Sequence, residues 1–150
     1  MKKHLLALCL VCQAASCLAS DMPTVAPAPT AKSYYEDARK SLDAKQWKPA
    51  LASLQKAVAL DPNNADIHNL LGYTYRKQAN LDKAFEHYEI ALKLNPGHLG
   101  AHEYLGEAYL QAKDLPNAEK QLAALASLCN SSCEQYKDLQ EAVAEYKKHL

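Results

Sequence analysis

A spacing of 34 residues constrains this 150-residue chain more than any other feature. Ala57-x4-Pro62 returns as Ala91-x4-Pro96, and Leu71-Gly72-x2-Tyr75 returns as Leu105-Gly106-x2-Tyr109. Ala50, Ala84 and Ala118 hold one phase of that spacing; Trp47, Leu81 and Leu115 hold another. A period of this length carries one supersecondary unit, and stacked units bury a core that none could bury alone.

Each unit reads as two helices. With Ala31, Ala65 and Leu99 as first positions, the first helix runs for about fourteen residues. Gln46, Asn80 and Asp114 then fall in phase at the expected N-cap of the second helix. Pro49 and Pro116 sit in that helix's first turn, where a missing N–H does no harm, and Asp61-Pro62 and Asn95-Pro96 end it. Gly72, Gly106 and the in-phase alanines let paired helices approach, while Tyr75, Tyr88 and Tyr109 fill the gaps.

Over about residues 31–132 these positions resemble the tetratricopeptide repeat (TPR) family. The match is densest in the second unit, where Leu71, Gly72, Tyr75, Ala84, Tyr88, Ala91 and Pro96 all fall on family positions. The third unit departs at Leu125 and Asn130, where Ala and Pro are expected. The first carries Asp37, Ala38 and Ser41 where Leu, Gly and Tyr belong, as suits an exposed end. The resemblance implies an all-α fold: three helix-turn-helix repeats (31–64, 65–98, 99–132) stacked as a short right-handed superhelix. Tyr136, Leu139, Val143, Tyr146 and Leu150 form one apolar helical face, so residues 133–150 read as a capping helix, with Ser132-x-x-Gln135 as its capping box.

The N-terminus has a different character. Met1-Lys2-Lys3, the apolar run Leu5 to Cys12 and the small residues before Asp21 make residues 1–20 an expected secretory signal. That run is too short to span a bilayer, which takes about twenty apolar residues, and no other stretch could do so. Residues 21–30, with Pro23, Pro27 and Pro29, read as a Pro-rich linker. Export, to a bacterial periplasm on the strength of the short dibasic signal, is the expected localisation. A lipid anchor through Cys17, preceded by Ala14-Ala15-Ser16, is the minor alternative. The chain balances 17 Lys+Arg against 17 Asp+Glu; losing Lys2 and Lys3 leaves 15 bases to 17 acids. Neither balance suits a nucleic-acid binder.

Processing would also leave a single cysteine pair, Cys129 and Cys133, in a disulfide-permissive compartment. Closing that five-residue ring contributes about 2 kcal/mol by loop entropy. The other reading is thiol chemistry: CxxxC resembles the copper-binding pair of some exported metal-handling proteins, and two thiolates suit Cu(I). His98 and His102 have a chelating i,i+4 spacing, but Pro96-Gly97 puts His98 at a helix mouth. His68 and His102 share one repeat position and read as inter-repeat packing residues. There is no glycine-rich phosphate loop, GxSxG, HExxH or zinc spacing, so neither an enzyme nor a cofactor is expected.

In the TPR family the first helices line a concave groove that holds a peptide. On the matching positions here stand Tyr35, Arg39, Asn69, Tyr73, Arg76, Glu103 and Glu107, with Tyr104 a further candidate. Arg39, Arg76 and Lys77 lie toward one end and the two glutamates toward the other, a sorting that would orient a partner by charge. Family members that clamp a C-terminal carboxylate carry Lys, Asn and Arg where this chain has Tyr35/Arg39, Tyr73 and Glu103/Glu107, which argues against that mode. The leading expectation is therefore an exported interaction module for an unidentified protein or peptide. A thiol or copper-handling protein is the alternative, and a homo-oligomer with a self-filled groove is a third reading.

Overall fold

The computed structural model of the chain describes residues 27–150. The expected signal, with Cys9, Cys12 and Cys17, and the first part of the linker lie outside the described residues. Seven helices follow in chain order: α1 (Ala31–Asp43), α2 (Trp47–Leu60), α3 (Ala65–Lys77), α4 (Leu81–Leu94), α5 (Leu99–Gln111), α6 (Leu115–Cys129) and α7 (Glu134–Lys147). The densest packing joins α1 to α2, α3 to α4 and α5 to α6; the pairs then stack on one another, and α7 packs on both α5 and α6. This is an all-α solenoid. Among the described residues, no helix is long and apolar enough to cross a membrane.

The three intra-pair turns are built alike. Lys45, Ala79 and Lys113 have φ of 55°, 59° and 62°, and none is glycine. Each ends its helix in a Schellman arrangement: the Lys45, Ala79 and Lys113 N–H groups donate to the carbonyls of Leu42, Arg76 and Leu110, and the next N–H reaches five residues back, as from Asn80 to Tyr75 at 3.0 Å. The residue making that second bond also N-caps the next helix. The Asn80 and Asp114 side chains accept from Lys83 and Asn117 N–H, whereas Gln46 caps without a side-chain bond.

Two seats show how the helices close. At Gly72 on α3, an added Cβ would lie 2.6 Å from the Tyr88 ring, which is fully buried. At Gly106 on α5 it would lie 2.5 Å from Leu139 Cδ2 on α7. The position equivalent to Tyr88 in the third unit is Leu122, too short to fill the seat, and the last helix supplies Leu139 instead. Leu125, where the family places alanine, is fully buried with Leu139 and Val143 and completes that junction.

Two local expectations change. No capping box forms at Ser132: Cys133 is the N-cap of α7 and makes no side-chain cap, while the Ser132 hydroxyl donates to the Cys129 carbonyl at 2.7 Å. Asn130 and Ser131, both in the left-handed region, turn the chain so that Ser132 finishes α6 rather than starting α7. A true capping box stands instead at α1, where Thr30 and Ser33 exchange bonds of 3.1 and 2.9 Å.

Candidate interaction groove

The first helices of the three pairs share one face. Tyr35, Arg39, Leu42 and Asp43 from α1, Leu70 and Tyr73 from α3 and Tyr104 from α5 line a cavity of about 340 Å³. Tyr73 and Tyr104 lean together at 4.9 Å between ring centroids, and Trp47 of α2 meets Tyr73 edge-on at 6.3 Å. Half-burial raises the Tyr35 and Tyr73 phenols, and burial followed by the Glu103 charge pushes Tyr104 up to about 12. All three are therefore neutral hydroxyls near pH 7, able to donate and accept. A second cavity of about 310 Å³ lies at the α1 and α3 N-termini beside Lys32, Tyr35 and Asp66.

The structure brings Tyr35, Arg39, Tyr73 and Tyr104 together as an open aromatic wall. It treats the other expected residues differently. Arg76 is 5% exposed, pairs with Glu107 across α3 and α5, and lies over both Tyr73 and Tyr104 at 5.4 and 5.7 Å from the ring centroids. The expected charge separation between Arg76 and the glutamates is thus largely cancelled inside the groove. Neighbouring first helices put these side chains within reach, and a buried charge without a partner is too costly to leave. Opposite charges at groove positions of adjacent repeats were the signal for this pair. Asn69 and Glu103 are also buried, at 6% and 8% exposure.

The histidines act as struts. His68 Nε2 lies 2.9 Å from the Pro62 carbonyl and its Nδ1 3.1 Å from His87, which burial keeps below the usual imidazole range. His102 repeats the pattern, with Nε2 2.9 Å from the Pro96 carbonyl and Nδ1 2.8 Å from Gln121. His98 N-caps α5 through Nδ1 and meets Asp66 through Nε2 at 3.0 Å, so the His98/His102 spacing converges on no common point. Cys129 and Cys133 have Cα atoms 5.8 Å apart, within the span a disulfide bridges. Among the described residues, no three His, Cys, Asp or Glu side chains gather as a metal site.

Known proteins share both the pattern and the fold. A TPR repeat model matches residues 42–78, and a tetratricopeptide repeat model matches residues 70–132. The chain is 39% identical over 66 residues to the chloroplastic tetratricopeptide repeat domain-containing protein PYG7 of Arabidopsis thaliana, covering 44% of this chain and 22% of that protein. It is 33% identical over 78 residues to an uncharacterized protein of Haemophilus influenzae, covering 51% and 44%. It thus spans less than half the length of these relatives. Among solved structures, the Arabidopsis OM64 TPR domain superposes with a TM-score of 0.71 at 16% identity, covering 81% of this chain and 97% of that one. The TPR2B domain of yeast Sti1, in complex with an Hsp70 peptide, gives 0.71 at 14%, covering 80% and 98%. The first TPR domain of Spaghetti (RPAP3), bound to the HSP90 peptide SRMEEVD, gives 0.67 at 19%, covering 77% and 96%. Repeat period, paired helices and matching models together make this chain a member of the tetratricopeptide repeat family.

Proposed function

We propose that this chain is an exported protein–protein interaction module that holds a peptide, or a segment of a partner protein, in the groove formed by α1, α3 and α5. The observation that carries this reading is the aromatic wall of Tyr35, Tyr73 and Tyr104 around an open cavity of about 340 Å³. Tyrosine offers apolar area and a polar tip at low entropic cost, which suits an interface anchor. Structural relatives in the family hold peptides in complexes of this fold. The bound sequence SRMEEVD is acid-rich at its end, whereas this groove carries Glu103 and Glu107, so a different peptide chemistry is expected here. Residues 1–20, read as a secretory signal, support export, and a Cys129–Cys133 disulfide holding α7 to the end of α6 accords with that compartment.

Affinity capture from the exported fraction tests the groove, comparing wild type with a Tyr35→Ser plus Arg39→Glu variant. Arg39 is exposed and Tyr35 only half-buried at the cavity edge, so the variant should lose some stability but keep its helicity, while partner recovery falls at least about tenfold, as expected on losing interface anchors. Undiminished recovery with the fold intact would sink the reading.

A further inference from the structure

The open groove is rich in hydrogen-bond donors and in apolar surface. Its lining sets three phenols, the Arg39 guanidinium, Leu42 and Leu70 against a single carboxylate, Asp43. Tyr35 also lines the cavity at the α1 and α3 N-termini, so both spaces border one ring. The occupant that matches such a wall brings free carbonyls and apolar side chains and few donors of its own. A polyproline II strand does so, because it makes no internal hydrogen bonds and its prolines have no N–H. Aromatic-lined grooves take proline-rich segments on these grounds.

The chain carries a segment of this kind. Residues 21–28 read DMPTVAPA and lie directly before Pro29. At three residues per turn, Pro23 and Ala26 share one edge, Met22, Val25 and Ala28 a second, and Asp21, Thr24 and Pro27 the third. Two of the three edges are thus wholly apolar, which a solvated spacer does not need. At about 3.1 Å per residue the segment spans about 25 Å, against about 8–10 Å between the axes of packed helices, so it is long enough to cross the groove. Pro29 lines a pocket with Tyr34 of α1 and Lys56, Ala59 and Leu60 of α2. Tyr34 meets α2, with Lys56 over its ring, whereas Tyr35 lines the groove. The segment therefore joins the fold on the side of α1 turned away from its own groove.

We propose that residues 21–28 of a second copy of this chain occupy the groove as a polyproline II strand, each copy lending its segment to the other. The inference rests on the groove reading above and names the partner as the chain itself. The apolar edges of the segment lie on the tyrosine rings and on Leu42 and Leu70, and its carbonyls accept from the phenols and from Arg39. Proline restricts the free segment, so little backbone freedom is lost on docking. A two-fold exchange uses both grooves and both segments, and assembly stops at the dimer.

Sedimentation equilibrium of the protein purified from the exported fraction tests this, with Trp47 emission as a second readout because Trp47 meets Tyr73 edge-on in the groove wall. Wild type should be a concentration-dependent dimer. A segment variant, Pro23→Gly plus Pro27→Gly, alters no helix and should dimerise at least about tenfold more weakly, as should the groove variant Tyr35→Ser plus Arg39→Glu. Mixed, the two variants should form a dimer that neither forms alone, because one intact segment then meets one intact groove. An amidated synthetic peptide of residues 21–28 should shift Trp47 emission and dissociate the wild-type dimer, and its glycine counterpart should need about tenfold more. A dimer that persists in the segment variant would place the contact elsewhere and overturn the inference. So would a monomer whose Trp47 emission changes with the segment variant at every concentration, since the segment would then fill its own groove. A monomer indifferent to the peptide would overturn it too, while affinity capture with the groove variant still decides whether the groove serves another partner. Should the groove variant fail to fold, the segment variant and the peptide decide alone.

Discussion

The middle pair and the last pair solve the same packing problem in different ways. Gly72 of α3 is covered by Tyr88 of its own partner helix, so α3 and α4 close on themselves. Gly106 of α5 is covered by Leu139 of α7, because Leu122 stands where a tyrosine would have reached. A repeat that loses its internal plug thus remains in the stack by borrowing one from the next element. The last repeat and the cap share one core, to which Leu125, Leu139 and Val143 contribute.

The sharpest way to break this contrast is to remove each plug. Tyr88→Ala should cost about 3–5 kcal/mol, and Leu139→Ala about 2–5 kcal/mol, in urea unfolding. Amide exchange should separate them: Tyr88→Ala should lower protection throughout α3 and α4, whereas Leu139→Ala should release α7 and the α5 end first. Equal loss of protection across the chain in both variants would show that the two regions are not distinct.

Replacing Cys129 and Cys133 by Ser should have a smaller effect, about 2 kcal/mol by loop entropy, confined to the cap end. Unchanged stability of the exported wild-type protein on adding a thiol reductant would exclude a structural bridge.

The weakest of these effects concerns Glu103. Its folded-state proton affinity is raised, so the stabilisation from protonating it is fully present below about pH 4.5 and is lost as pH rises through about 7. Glu103→Gln should therefore stabilise the chain by about 1 kcal/mol at pH 8, allowing for solvent at the groove mouth, and by nothing at pH 4. A gain that is the same at both pH values would mean that Glu103 is not held out of its ordinary range.

Much of this architecture was legible because periodicity reports position. The 34-residue spacing located both helices of each pair, the phased Gln46, Asn80 and Asp114 marked the second-helix starts, and the Tyr136-Leu139-Val143 face marked the cap. Periodicity does not report depth. Arg76, Asn69 and Glu103 occupy groove positions, yet they are buried because adjacent first helices approach closely around Gly100 and the tyrosine pair. Whether a groove charge faces a ligand or a neighbouring helix depends on that inter-repeat distance, which no single repeat encodes. The Ser132 capping box failed for a related reason: two consecutive left-handed residues moved the helix start by one position.

The three left-handed turns carry a consequence for how freely the chain can vary. Lys45, Ala79 and Lys113 forgo glycine where a side chain costs about 1 kcal/mol in the folded state. Glycine would remove that penalty but would loosen the unfolded chain by about 0.4–1 kcal/mol. The two effects nearly cancel, so selection on stability has little grip at these positions. Their side chains, exposed at every turn, are the places where this scaffold can change surface charge or accept a label without disturbing the stack.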